Sequence, residues 1–237
     1  IIVLSPSGTP VHPADHKTIL ENQGPYYADF GWVGSGAGPV KVPTSETVWS
    51  QKGIGSLSPT SPVVLSWDNG EGLTFRRTIA VDDKQLFTVT DEVENHGAAP
   101  LQLSPYALIS RHGAPSVGGY YILHEGLIGV LGASGLQEYT YKNIEKEGQK
   151  VWQDTSGWLG ITDKYWATTL IPDQAVPYTA RFSTGMVGAD KSYQTDLLFP
   201  TQSIAPGSTL KITNRLFVGA KEVVLIDMYE SSLGVSR

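Results

Sequence analysis

Between residues 63 and 109 the chain alternates between β-prone segments and clusters of turn-forming residues. Turns are predicted at Asp68-Asn69-Gly70, Asp82-Asp83-Lys84 and Glu94-Asn95-His96-Gly97, because glycine and short polar side chains tolerate tight reversals. Between the first two turns, one face of Leu73–Val81 carries Phe75, Arg77, Ile79 and Val81, and the other carries Thr74, Arg76, Thr78 and Ala80. This period of two predicts a strand. Successive strands at short spacing predict an all-β fold of antiparallel strands, a sandwich or a barrel.

Other candidate strands extend this pattern along the chain. They are Ile1–Leu4, Val63–Trp67, Phe87–Val93, Leu101–Ile109, Leu127–Leu131, Trp158–Thr162, Tyr165–Ile171, Tyr178–Ser183, Tyr193–Phe199 and Leu210–Val218. Pro105 lacks a backbone N–H, so we expect its strand to be an edge strand or to carry a bulge. Residues 5–62 are rich in Gly, Pro and Ser, which predicts long surface loops with a few short strands.

Helix is predicted at only two places. Tyr141–Lys150 is polar and fits either a turn of helix or an edge strand. Lys221–Ser232 carries clustered apolar residues before Gly234, a plausible stop, and is the strongest helix candidate. We expect this short C-terminal helical segment to pack against a sheet rather than to dock a partner.

The composition limits the classes of function. Hydrophobic residues are 40% and charged residues 17% of 237 positions, which suits one packed domain spanning residues 1–237. The net charge of −6 argues against a nucleic-acid surface or a hold on anionic lipid. Without cysteine there is no disulfide framework or thiolate metal site. No apolar run reaches the roughly 20 residues that span a bilayer, and the missing initiator Met suggests a fragment of a longer protein.

Two polar segments have parts of a known binding motif, but neither completes one. His12 and His16, with Asp15 between them, have the spacing of helical metal ligands, yet Pro13 interrupts and no third ligand is near. A solvated loop is the preferred interpretation. The run Gly34–Gly38 is glycine-rich but lacks the Lys-Ser/Thr ending of a phosphate-binding loop. We therefore expect no metal and no cofactor.

A catalytic interpretation rests on Arg111, His112, His124 and Glu125. A histidine acid and a carboxylate base on opposite sides of a sugar ring could interconvert anomers by proton transfer. Structural turn histidines explain the same residues, and this is the interpretation we prefer. No catalytic residue is assigned.

Acidic pairs and aromatic side chains are the remaining conspicuous residues. Asp82-Asp83 and Asp91-Glu92 are interpreted as turn or surface groups rather than as a glycosidase pair. Six Trp and eleven Tyr are spread along the chain. Aromatic side chains bind sugars and peptides, but they more often fill the cores of β-sandwiches. The partner-binding residues are therefore unknown from the sequence.

Two segments in the last third of the chain carry a family resemblance. The first, Trp158–Pro172, has the pattern W-x-G-x-x-D-x-Y-W-x-x-x-x-I-P, and the second, Leu216–Glu222, contains F-V-G-A-K. Together with Ser5–Thr9, Pro25–Trp32 and the strand-turn-strand Phe87–Ile109, they resemble the large periplasmic domain of YidC, the bacterial membrane protein insertase.

The resemblance implies a β-supersandwich similar to galactose mutarotases, closed by short helical segments at its C-terminal end. It implies a non-enzymatic accessory domain at the periplasmic face of the bacterial inner membrane, because fold similarity does not carry a catalytic site. The parent protein would be a multi-pass membrane protein that inserts and folds other membrane proteins. Its expected partners are SecDF of the Sec translocon and nascent membrane proteins, met through protein–protein contacts. The alternative is a carbohydrate-binding or aldose-epimerase-like β-sandwich.

Overall fold

The fold is an antiparallel β-sandwich. A computed structural model of the protein describes residues 2–3, 26–36, 38–114, 124–163, 166–221 and 233–234. Within them the strands are β1 (Ile2–Val3), β2 (Tyr26–Gly34), β3 (Ser50–Lys52), β4 (Val63–Asp68), β5 (Leu73–Val81), β6 (Leu86–Asn95), β7 (Leu101–His112), β8 (Gly126–Leu131), β9 (Gly135–Thr140), β10 (Lys150–Thr155), β11 (Gly157–Thr162), β12 (Trp166–Ile171), β13 (Pro177–Val187), β14 (Asp190–Leu198), β15 (Gln202–Ile204) and β16 (Thr209–Ala220). The expectation of an all-β fold is confirmed.

Two sheets share these strands. The seven-stranded sheet has the order β1-β2-β7-β14-β13-β10, and β15 also pairs with β7. The nine-stranded sheet has the order β3-β4-β5-β6-β16-β12-β11-β8-β9. Their facing sides form the main core, whose largest fully buried side chains include Tyr193, Phe75, Phe182, Phe199, Leu103, Ile109, Leu127 and Leu159. Along the strands that form this core, alternate residues point inward and the others form the outer face.

Strand β2 is the main departure from the loops predicted for residues 5–62. It is nine residues long, and Tyr26, Ala28, Phe30 and Trp32 point alternately into the core. That alternation is present in the sequence, but the surrounding Gly and Pro clusters obscured it. The strands β9, β10 and β15 were also missed.

Pro105 was predicted to mark an edge strand or a bulge, and the edge-strand alternative is wrong. Strand β7 is interior, with β2 on one side and with β14 and β15 on the other. Pro105 falls where β14 gives way to β15, because β14 pairs up to Tyr106 and β15 begins opposite Leu103. The Pro105 carbonyl accepts from the Phe199 N–H at 2.9 Å. The missing N–H of proline therefore falls at a break in the ladder, where it costs no hydrogen bond.

The helical predictions have different outcomes. Tyr141–Glu147 forms a helix, α1, and the side chain of Thr140 caps it by accepting from the Asn143 N–H at 3.2 Å. Residues 222–232 lie outside the described residues, so the C-terminal helix stays a prediction. Leu233 is described, and it packs against a small cluster of Leu86, Ile171 and Phe217 that is separate from the main core.

A buried arginine forms an ion pair within one sheet and a hydrogen bond to the other. Arg77 of β5 bonds Asp91 of β6 through two contacts, Nε–Oδ1 at 2.7 Å and Nη2–Oδ2 at 3.1 Å. The same Nη2 donates to the carbonyl of Phe30 in β2 at 2.6 Å. Only 5% of the Asp91 side chain is exposed, so the interpretation of Asp91 as a turn or surface group is wrong. Asp82 does have a turn role, since its Oδ1 accepts from the N–H groups of Lys84 and Leu86.

Candidate functional site

The four residues of the catalytic interpretation do not form a catalytic arrangement. Arg111 and His112 are neighbours at the end of β7, so their side chains leave opposite faces of the seven-stranded sheet. Arg111 points inward, whereas His112 meets the ring of Tyr27 edge-on at 6.1 Å between centroids. His124 precedes β8 in the other sheet, and its Nε2 lies 3.1 Å from the carbonyl of Leu127. In the described part of the chain, no hydrogen bond joins His112 to His124 or Glu125.

Arg111 belongs to a buried polar network at one end of the sandwich. Its Nη1 donates to Asp163, and the hydroxyl of Tyr141 donates to the other oxygen of that carboxylate at 3.1 Å. The guanidinium also lies over the ring of Tyr26, 5.0 Å from its centroid. Burial raises the pKa of both tyrosines above the ordinary value, so the hydroxyls stay protonated. Because Asp163 neutralises the charge of Arg111 and both side chains are largely buried, we interpret this network as structural.

Lys221 closes the same end of the sandwich. It directly follows β16, and its Nζ donates to the carbonyl of His124 at 3.2 Å. Burial lowers the pKa of Lys221, and the nearby carboxylates of Asp163 and Glu125 oppose that shift. Lys221, the last residue of the F-V-G-A-K motif, thus anchors the end of β16 to the segment that precedes β8.

An open groove lies on the seven-stranded sheet, near its β10 edge. Its volume is about 580 Å³. It is lined by Ser104, Gln153, Asp154, Thr155, Pro177, Tyr178, Thr179, Leu198, Phe199, Pro200 and Thr201. These residues come from β10, β13, the end of β14, the β14–β15 connection and β7. Leu198 is 42% exposed, and Gln153, Thr155, Pro177 and Pro200 are also exposed.

The lining of the groove is almost free of charge. Asp154 is its single charged residue, and that carboxylate accepts from the N–H groups of Ala133 and Ser134 at 3.1 Å and from the Ser134 hydroxyl at 2.9 Å. Burial alone would raise the pKa of Asp154, but these bonds and one from the Thr155 N–H lower it below the ordinary value. The hydroxyl of Tyr178 is likewise held, donating to the carbonyl of Ser156. The groove therefore offers mainly neutral polar and apolar contacts.

Charged side chains lie beside the groove on the same outer face. Arg181 of β13 is paired in register with Asp196 of β14, and its Nε lies 2.9 and 3.1 Å from the two carboxylate oxygens. Gln194 donates to the same carboxylate at 2.8 Å. On the next two strands of the sheet, the hydroxyl of Tyr106 in β7 donates to Asp29 in β2 at 3.0 Å. These acids are engaged by neighbours, so they provide polarity next to the groove rather than free catalytic groups.

The described residues contain no candidate metal site and no candidate membrane-spanning helix. Within the described ranges, no group of three or more His, Asp or Glu side chains could hold a metal ion. His12, Asp15 and His16 lie outside those ranges, as does Ala37 of the glycine-rich run. No helix of the described chain is long and apolar enough to cross a membrane.

The groove could not be predicted from the sequence, because its lining comes from four strands and a connection far apart in the chain.

Comparison with solved structures shows the class of fold. A galactose mutarotase-like protein from Lactobacillus casei aligns with a TM-score of 0.54 over 81% of this chain and 85% of its own, at 11% identity. So low an identity shows the fold alone: an antiparallel sandwich of the mutarotase type, as the resemblance implied.

The family follows from the sequence matches. The family model of the YidC periplasmic domain matches residues 11–235. The membrane protein insertase YidC of Nitrobacter hamburgensis is 53% identical over 95% of this chain and 35% of its own length. That of Methylorubrum extorquens is 48% identical over the whole chain and 37% of its own length. The chain belongs to the YidC periplasmic domain family. It spans little more than a third of the length of these relatives, which are named membrane protein insertases.

Proposed function

We propose that this chain is a periplasmic accessory domain that acts through protein–protein contacts, made at the groove of the seven-stranded sheet. Residues 1–237 would work as one domain of a multi-pass inner-membrane insertase. Its partners would be SecDF of the Sec translocon and nascent membrane proteins, bound during insertion and folding.

One observation carries this proposal: the groove is open, nearly uncharged and close to a sheet edge. Leu198, Pro177 and Pro200 offer apolar contacts, and Gln153 and Thr201 offer neutral hydrogen-bonding groups. Such a surface suits a polypeptide, whose backbone is polar but neutral and whose side chains vary. It does not suit nucleic acid, because phosphate contacts need clustered Lys and Arg.

The test uses the full-length insertase that carries this domain. Leu198→Arg places a long charged side chain in the groove, and Val48→Arg makes the same change at an exposed apolar residue, 85% exposed, next to β3 of the other sheet. We expect Leu198→Arg to reduce both the co-purification of SecDF and photo-crosslinking to nascent membrane proteins, whereas Val48→Arg leaves both unchanged. Equal recovery with the two variants would overturn the proposal that the groove binds partners.

A further inference from the structure

The strands at the sheet edges are protected to different degrees. Natural edge strands avoid unwanted pairing by being short or by exposing charge. Among the described strands that end the two sheets, β1 has two residues and β3 has three, including the exposed Lys52. Strand β9 has six and exposes Glu138. Strand β10 also has six, but its exposed residues are Val151, Gln153 and Thr155, all uncharged. By length and exposed charge, β10 is the least protected of these four edges, and its Thr155 end packs against the 3₁₀ turn Gly132–Ser134.

The pairing of β10 with β13 shows which residues of β10 point their backbone N–H and C=O groups away from β13. Thr155 is paired with Pro177 of β13, which has no N–H, and the Thr155 N–H instead bonds its neighbour Asp154 at 2.9 Å. Because backbone groups alternate in direction along a strand, Val151 and Gln153 also point theirs away from β13. The N–H and C=O groups of Val151 and Gln153 therefore face the open edge, and the same two residues place their side chains on the outer face.

The charges of β10 do not protect this edge, because they lie on the inner side and are engaged. Lys150 pairs with Glu147 at 2.7 Å and lies over the ring of Tyr139. Asp154 is bonded to Ala133 and Ser134. An added strand would thus meet no unpaired charge on β10, and its alternate side chains would lie at the mouth of the groove, beside Gln153 and Thr155.

We propose that an extended, uncharged segment of another polypeptide adds to the seven-stranded sheet as a strand paired with β10. The proposal rests on the proposed function, since it specifies how a bound polypeptide is held. Backbone pairing would supply affinity for many sequences, and the neutral groove would select uncharged side chains. A second copy of the chain is disfavoured as the occupant, because each copy carries a net charge of −6 and two copies repel each other.

The test is fluorescence-polarisation titration of the 237-residue chain with a labelled peptide, Gly-Val-Ser-Val-Ser-Val-Gly. Two derivatives carry N-methyl groups, one on the valines and one on the serines. Along an added strand, the N–H groups of neighbouring residues point in opposite directions, so either the valines or the serines, but not both, can donate to β10. A shift of the peptide by one residue relative to β10 would turn the valine side chains to the other face of the sheet. We expect one derivative to bind about tenfold more weakly and the other within about twofold of the parent, as several backbone hydrogen bonds are lost in one case only.

Variants of the protein provide a second measurement. Gln153→Pro removes an edge N–H that β13 does not use, and Gln153→Ala keeps it. We expect weaker peptide binding for Gln153→Pro alone, with similar melting temperatures for both; if Gln153→Pro does not fold, the peptide pair decides.

Three outcomes would overturn strand addition. The first is an equal effect of the two N-methylated peptides, which would still show that the domain binds polypeptides. The second is no binding of the parent peptide at millimolar concentration; crosslinking of the full-length insertase would then judge the proposed function separately. The third is a dimer in sedimentation that Gln153→Pro dissociates, which would assign the edge to a second copy.

Discussion

Replacing Arg77 by methionine should strongly destabilise the sandwich. The substitution keeps much of the side-chain length but leaves the buried carboxylate of Asp91 and the carbonyl of Phe30 without their donor. Breaking a buried pair by removing one partner costs about 3–5 kcal/mol, because the remaining charge stays desolvated. That is a large part of a typical total stability of about 5–15 kcal/mol.

Arg76 provides a matched control one residue away. It lies on the outer face, where it pairs with Glu92 at 3.4 Å and Glu94 at 2.8 Å, and 36% of its side chain is exposed. An exposed ion pair contributes about 0–1 kcal/mol, so Arg76→Met should cost little. Urea denaturation followed by tryptophan fluorescence measures both variants. Similar losses for Arg76→Met and Arg77→Met would refute the argument from burial.

The pH dependence gives an independent check on Arg77. Burial raises the pKa of Asp91, and the attraction of Arg77 opposes that shift. Between the ordinary pKa and this raised one, the folded state binds more protons than the unfolded state, so stability falls as pH rises. Arg77→Met removes the attraction that opposes the shift, so the pKa of Asp91 rises further and the pH range in which stability falls extends to higher pH. We therefore expect its deficit to be larger at neutral pH than in mild acid; a deficit independent of pH would contradict this reasoning.

Three further substitutions and one control test local contacts, each by urea denaturation. Gly160→Ala would put a Cβ 2.0 Å from the carbonyl oxygen of Thr168 and should cost about 1–3 kcal/mol; Gly185→Ala, which meets only a side chain at 3.4 Å, should stay within about 0.5 kcal/mol. Tyr141→Phe removes the donor to Asp163 and should cost about 1–3 kcal/mol. Thr140→Ala removes the cap of α1 and should cost about 1 kcal/mol. Equal losses for the two glycine variants, or none for the last two, would contradict these contacts.

Much of the fold was predictable because strand periodicity and turn chemistry are local. The strand β5 begins and ends at the predicted residues, Leu73 and Val81, and Arg77 lies on the predicted face. The motifs Trp158–Pro172 and Leu216–Glu222, taken together with three earlier segments, indicated the family. The first motif is partly explained by the structure. It includes Gly160, whose missing Cβ lets β11 and β12 approach, and Asp163, which binds Arg111.

Other features were decided only when distant segments met. Pro105 predicted an edge strand or a bulge. Instead, its missing N–H falls where the partner of β7 changes from β14 to β15, and no local pattern in the sequence reveals that change. Asp91 looked like a surface group, because the sequence does not show that Arg77 lies beside it on the inner face. The groove has the same origin: β7, β10, β13 and β14 contribute residues separated by up to about a hundred positions.

The sequence by itself therefore determined the class of fold and the family, since hydrophobic alternation and motif residues can be read along the chain. The tertiary structure alone decided which residues line a common surface and which edge is open. Strand order depends on long-range pairing, and exposure depends on what the paired neighbours cover. The neutral row of Val151, Gln153 and Thr155 carries no signal in the sequence, and it becomes a candidate binding edge only because β10 ends its sheet.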